Sequence, residues 1–254
     1  MNYVYQFTNE NLSSYKDLYH FDNAKVLSVL GSGDQYFSSL LYGAKEIELY
    51  DCNFLAWDFF VLKFYSILTL DYEEFYDFFV TKRLNDLKRL KKQLLYLPDD
   101  VANRLAKLQK QYRSLSWVLH KDIILNKYNN DYVIPYFNKE KYYKLQSILM
   151  HQKLPTFYLT YLQSLHSVVK KQSYDIILTS NIFDWLYADL EEECVEEYKE
   201  LLNKFNYSEI QALYCWELSE TLQEELEKHN FEITNVTSVK TLNLYDSVIS
   251  LRKK

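Results

Sequence analysis

The sequence predicts an α/β protein built on a doubly wound, mostly parallel sheet of about seven strands. It predicts an antiparallel last strand and a helical insertion between strands 2 and 3. Three observations carry this. Residues 25–51 run strand, glycine turn, helix, strand, acid; strand and helix patterns alternate again from residue 156 onward; and the last two strand-like segments follow one another with no helix between them.

The elements follow in order. KVLSVL (25–30) is a short apolar run entering GSGDQ, and FSSLLYGA continues with Phe37, Leu40 and Leu41 at helical spacing. Gly43 suits the end of that helix, and IELYD (47–51) is the second strand. Residues 54–70 are apolar nearly all round, as expected of a helix packed on a sheet and covered again from outside. From 71 to 154 the pattern is helical apart from a strand-like DYVIPYF. KRLNDLKRLKKQLLYL (82–97) reads as one amphipathic helix ended by Pro98, and RLAKLQKQYRSL (104–115) as another. The whole chain, 1–254, therefore reads as one domain carrying 71–154 as a helical insertion. TFYLTYL (156–162), YDIILTSNIF (174–183) and EIQALYCW (209–216) read as strands, separated by the helical segments LQSLHSVVKK and DLEEECVEEYKELLNKF. LSETLQEELEKHN is a helix capped at Ser219, and FEITNVTSV and DSVISLRKK close the sheet.

Composition narrows the function classes. Of 254 residues, 48% are hydrophobic and 25% charged, which excludes a disordered chain. Cys52, Cys194 and Cys215 are odd in number and widely spaced, so neither a disulfide framework nor a zinc ribbon is indicated. His20, His120, His151 and His229 show no metal-ligand spacing, and no metal is expected. The opening MNYVYQFTNENLSSYKDL lacks the apolar core of a signal peptide, and the apolar stretch 54–70 contains Asp58 and Lys63, so no transmembrane segment is expected and a cytoplasmic location is. Charge is uneven. Residues 79–127 hold 12 basic against 4 acidic side chains, a balance of +8, and residues 184–232 hold 3 against 15, a balance of −12. Such runs are ordinarily solvated faces, but the basic insertion could also draw in an anionic partner such as nucleic acid.

The glycines are the most informative residues. The chain has only three, Gly31, Gly33 and Gly43, all within 13 residues of each other. A turn without side chains lets the backbone lie against a nucleoside, and the following helix start offers free N–H groups. Twenty residues after Gly31 comes Asp51, placed to accept both hydroxyl hydrogens of a ribose. GSGDQ lacks the third glycine of a dinucleotide fingerprint, and Asp34 would sit poorly beside a diphosphate. An acid there suits a ligand with a cationic end. S-adenosylmethionine, with its sulfonium and ammonium groups, is the expected cofactor, and NAD(P) the alternative.

FTNENLSSY, VLSVLGSGDQYFSSLLYGAKEIELYDCNFLAWDFFVLK, LDYEEFYDFF and YDIILTSNIFDWL, in that order, resemble a family of class I S-adenosylmethionine-dependent transferases with a Rossmann-like fold. The family is related to the betaine-lipid 3-amino-3-carboxypropyl transferases, and its members are often described as methyltransferase-like. The resemblance implies that Gly31, Ser32, Gly33, Asp34 and Gln35 wrap the methionine part of the cofactor. It implies that Asp51 holds the ribose, with Cys52 and Asn53 beside it. Thr160 and Tyr161 occupy the adenine-facing position where such folds often carry an acid. Ser180 and Asn181 lie where the transferred group meets its acceptor, and Glu10 faces the ammonium group. Asn181, Tyr161 and Asp184 are the candidate catalytic residues.

Plainer roles stand beside these. Asp51 and Asp184 could be helix caps, His166 a structural residue on an amphipathic helix, and Cys52 a small buried residue. The expected activity is transfer of a methyl or 3-amino-3-carboxypropyl group to an acceptor that the sequence does not identify, a lipid-like or other small molecule being favoured. A catalytically idle S-adenosylmethionine-binding module and a nucleic-acid methyltransferase are the alternatives.

Overall fold

Short runs of alternating or continuous apolar residues become strands wherever both faces can be covered. The computed structural model describes residues 3–119, 134–169, 172–187, 192–216, 218–236 and 246–253. Among these, the strands are β1 (Lys25–Val29), β2 (Glu46–Asp51), β3 (Phe157–Leu159), β4 (Ser173–Leu178), β5 (Asn206–Cys215), β6 (Glu232–Asn235) and β7 (Ser247–Arg252). They form a seven-stranded sheet in the order β3-β2-β1-β4-β5-β7-β6. The first five neighbours pair in parallel, and β7 runs antiparallel to both β5 and β6. The Rossmann-like fold with an antiparallel finish is the one expected.

Eleven α-helices are described: α1 (Leu12–Leu18), α2 (Asp34–Leu41), α3 (Phe54–Thr69), α4 (Tyr72–Tyr76), α5 (Leu87–Leu94), α6 (Asp99–Tyr112), α7 (Lys139–Leu149), α8 (Leu162–Val169), α9 (Ile182–Tyr187), α10 (Val195–Asn203) and α11 (Glu220–Lys228). The sheet separates two cores. Along β1, Val26 belongs to the core shared with α1, α2, α3 and α7, whereas Leu27 and Val29 belong to the core shared with α8, α10 and α11. The period-2 pleat produces that division. On the first side, α3 is buried nearly all round between the sheet and the insertion helices. Its Asp58 is gripped by Arg104 of α6, with Nε 2.8 Å from Oδ2 and Nη2 2.7 Å from Oδ1. The same guanidinium lies 4.8 Å over the Phe54 ring. Among the described residues no helix is long and apolar enough to cross a membrane.

The insertion differs from its sequence pattern in three places. Residues 82–97 do not form one helix: a π-helical turn spans Asp77–Thr81, Arg83 and Leu84 take positive φ, and α5 covers only Leu87–Leu94. Asp86 fixes that start, its carboxylate accepting the Arg89 N–H at 3.0 Å. Pro98 precedes α6 rather than merely ending α5. Its missing N–H costs nothing at a helix start, and Asp99 and Asp100 complement the helix dipole there. Of the strand-like DYVIPYF, residues 131–133 lie outside the described residues, and Pro135–Phe137 form a 3-10 turn. In the 189–205 helical segment, α10 begins only at Val195; residues 188–191 lie outside the described residues. The Ser219 cap is present, accepting the Leu222 N–H at 3.1 Å.

Candidate functional site

In an open α/β sheet the chain leaves β1 and β4 in opposite directions, and the loops beyond their carboxyl ends diverge into a crevice. Here that crevice is a cavity of about 590 Å³. Its wall includes Val29, Gly31, Asp51, Thr160, Ser180 and Trp216, each at or just past the end of one of the five parallel strands. The amino-terminal segment supplies the remaining side through Tyr3, Val4, Tyr5, Thr8, Asn9 and Glu10.

Gly31 and Asp51 meet as their spacing predicts. The Gly31 N–H donates to Asp51 Oδ2 at 3.0 Å, and the Asn53 N–H donates to Oδ1 at 2.8 Å. Each oxygen keeps a further acceptor site. Burial raises the Asp51 carboxyl above its ordinary value, against the lowering effect of these backbone donors. Asp51 does not cap α3; Asn53 does, accepting the Leu55 N–H at 3.1 Å. The two turn glycines answer different demands. Gly31 takes φ +49° with open space where a Cβ would stand, whereas at Gly33, φ +82°, a Cβ would fall 2.6 Å from the Phe60 ring of α3. Gly31 leaves room for a ligand, and Gly33 leaves room for the core. Ser32 lines the cavity; Gly33 does not.

Asp34 departs from its expected role. It is 0% exposed and is not part of the cavity wall. Its Oδ2 accepts the Thr8 N–H at 2.6 Å and the Ser32 hydroxyl at 2.8 Å; its Oδ1 accepts Lys63 Nζ at 2.8 Å and the Tyr136 hydroxyl. Lys63 also donates to the carbonyls of Gln6 (2.7 Å) and Ser32 (2.8 Å) and lies 4.4 Å from the centre of the Phe7 ring. With four donors satisfied inside the protein, Asp34 joins the amino-terminal segment, the glycine turn, α3 and the Pro135 turn. It does not present its charge to the cavity.

That position falls to Glu10, which is buried and part of the cavity wall. Its oxygens accept from the Tyr15 hydroxyl at 2.6 Å, from Gln35 Nε2 at 3.3 Å and from the Ser180 hydroxyl. All three donors are neutral. Burial is the main cause holding the Glu10 carboxyl above its ordinary value. Among the described residues no Lys, Arg or His forms an ion pair with it. Gln35 also reaches the cavity wall, so two of the GSGDQ side chains, Ser32 and Gln35, line the cavity.

Beyond β4, Ser180 and Asn181 both line the cavity, and Ser180 takes φ +59°. A non-glycine residue holds that conformation only when its surroundings fix it. Gln211 of β5, fully buried, does so. Its Oε1 accepts the N–H groups of Thr179 (2.9 Å) and Ser180 (2.7 Å), and its Nε2 donates to the Ser180 carbonyl at 3.0 Å. Gln211 was not among the expected site residues; a lone amide inside the apolar run EIQALYCW was the signal available. Thr160 and the exposed Tyr161 line the cavity beyond β3. Trp185 and Leu186 of α9 also line it, while Asp184 between β4 and α10 lies in the first turn of α9 and outside the wall. Cys52 is on the wall and exposed, not buried as its size suggests. His166 packs edge-on to Phe205, with ring centres 6.3 Å apart, away from the cavity.

No family model and no curated protein sequence matches the chain. Among solved structures, it is similar to a ribosomal protein L11 methylase from Lactobacillus delbrueckii subsp. bulgaricus, at 10% identity and a TM-score of 0.42, covering 96% of this chain and 77% of that one. It is also similar to the rRNA methyltransferase aviRa from Streptomyces viridochromogenes, at 8% identity. Two structures of that protein give TM-scores of 0.41 and 0.43, each covering 91% of this chain and 77% of that one. Likeness at this level carries no argument about the chemistry. The fold rests on this chain's own strand order.

Proposed function

We propose that the chain is an S-adenosylmethionine-dependent transferase. The observation that carries this is the meeting of Gly31 and Asp51 at the lip of one cavity, with Glu10 on the same wall. The residues present fit the cofactor. An open, side-chain-free turn accommodates an adenosyl group; Asp51 retains acceptor sites for two ribose hydroxyls; and the Glu10 carboxyl, surrounded by neutral donors, complements an ammonium group. Glu10, not the lysine-paired Asp34, takes the cationic end in this reading. Thr160 and Tyr161, both on the cavity wall, then take the adenine, with one hydrogen bond or a stacked ring in place of a carboxylate.

When bound, S-adenosylmethionine supplies an electrophilic carbon on a sulfonium with a good leaving group. The chain's task is then mainly alignment of an acceptor nucleophile. Ser180, held by Gln211, and its neighbour Asn181 border the cavity where that acceptor would approach, with Tyr161 on the same wall. Asp184 acts at one remove, as an acid in the first turn of α9. Attack on the methyl carbon leaves S-adenosylhomocysteine; attack on the γ-carbon of the methionine chain leaves methylthioadenosine. The resemblance to the aminocarboxypropyl transferases favours the second route, and the by-product identified by mass spectrometry distinguishes the two. The cavity wall contains no Lys, Arg or His among the described residues, which favours a small or lipid-like acceptor over nucleic acid. An idle binding module is the second reading, favoured by the lack, among the described residues, of a paired acid and base on that wall. Calorimetric titration with S-adenosylmethionine tests the common premise: saturable one-site binding is expected, and no binding refutes both readings.

A further inference from the structure

The outward arc of α5 and its C-terminal end is unlike the rest of the insertion surface. Leu87, Lys88, Lys91, Lys92, Leu95 and Tyr96 share it, following i, i+4 ridges. Leu95 is 82% exposed, Tyr96 49% and Leu87 44%. Leu90 and Gln93, on the opposite arc, are buried, and Gln93 accepts from Thr69 of α3 at 2.9 Å. The helix is therefore already seated on its inner face, and among the described residues Leu95 stands almost wholly in solvent. The charges point the same way. Among the described residues Lys88, Lys91 and Lys92 have no acidic partner. Nearby acids are engaged elsewhere, Asp77 with Lys82 and Arg89, Asp86 with Lys82 and Asp100 with Arg104, leaving Asp99 at the head of α6.

We propose that this face docks on an anionic lipid surface. Leucines and a tyrosine at the end of a helix enter the headgroup boundary, while interleaved lysines extend their ammonium groups to lipid phosphates. Three lysines without an acidic partner among the described residues supply the attraction, which acts within a Debye length of the surface and weakens with salt. Lysines alone would suit a nucleic acid equally; the protruding Leu95 and Tyr96 favour the bilayer. The opposite arc of α5 is seated against Thr69 at the far end of the sixteen-residue α3, whose start lies at the cavity, so docking through the outer arc leaves the site open.

Co-sedimentation tests this with vesicles of phosphatidylcholine alone and of phosphatidylcholine mixed with phosphatidylglycerol. Binding to the mixed vesicles and not to the neutral ones is expected, decreasing with salt. Leu95→Asp and the double variant Lys91→Glu/Lys92→Glu should each reduce it at least tenfold without lowering the melting temperature. Three results overturn the proposal: no binding to the mixed vesicles at low salt, equal binding by wild type and Leu95→Asp, or salt-sensitive binding of single-stranded RNA that outcompetes the vesicles and survives Leu95→Asp. A dimer of this chain abolished by Lys91→Glu/Lys92→Glu would likewise replace the bilayer with a second copy's acidic face. The test reads no ligand in the cavity, so it succeeds or fails independently of the transferase reading.

Discussion

Two buried carboxylates lie close together in this molecule and differ in almost everything else. Asp34 has a lysine, a tyrosine, a serine and a backbone N–H around it and no access to the cavity. Glu10 has three neutral donors and is part of the cavity wall. An acid with a built-in cation is already neutralised and holds the fold together. An acid without one keeps its desolvation cost until a cationic ligand arrives. The first is architecture, and the second is the acid to which we assign recognition.

Breaking the architectural pair should produce the largest effect. Lys63→Met leaves Asp34 buried without its cation and is expected to cost about 3–5 kcal/mol of stability, read from denaturant midpoints. A loss under about 1 kcal/mol would mean that Asp34 is not held as described. On the recognition side, Asp51→Ala removes a charged acceptor whose hydrogen bonds contribute about 1.5–3 kcal/mol. Calorimetry should show S-adenosylmethionine affinity falling roughly 10- to 100-fold.

Glu10→Gln sharpens the contrast, since it keeps the shape and removes the charge. Affinity for S-adenosylmethionine should fall about tenfold, in line with one charge-assisted contact, while the unliganded protein becomes no less stable. The smallest effect is in pH dependence. Because burial raises Glu10 above 4.5, the folded protein holds a proton that the unfolded chain releases. Glu10's contribution to stability is greatest below 4.5 and is lost as pH rises through its raised folded value. Affinity for an ammonium-bearing ligand moves oppositely, increasing across that window. Subtracting the Glu10→Gln profile isolates both trends; superimposable profiles would remove the assignment.

How much of this was legible in the sequence follows from contact range. The unit from Lys25 to Asp51 was readable because strand, turn, helix and strand each have a local pattern, and Gly31 and Asp51 meet across adjacent parallel strands. The surroundings of Asp34 are not legible in the sequence because its partners are remote: Lys63 lies 29 residues on and Tyr136 102. No periodicity encodes such a meeting. Lys63 nonetheless carries a clue, as the lone cation of a helix apolar but for Asp58 and a few hydroxyls, since a buried cation requires a buried acid. Gln211 fixes Ser180 across 31 residues and was hidden for the same reason. In the insertion, binary pattern gave helices correctly but not their limits, because Asp86 and Pro98 set those limits by local capping.

The amino-terminal stretch binds otherwise separate parts of the molecule together. Val4 bonds to the Val118 carbonyl, Thr8 to Asp34, and Asn11 to both the Tyr214 hydroxyl and the Val236 carbonyl. Shortening the chain through Glu10 would therefore not trim a tail. It would take out one flank of the cavity together with the Val4 and Thr8 anchors, so a fusion partner intended to leave the cavity intact belongs at the other terminus.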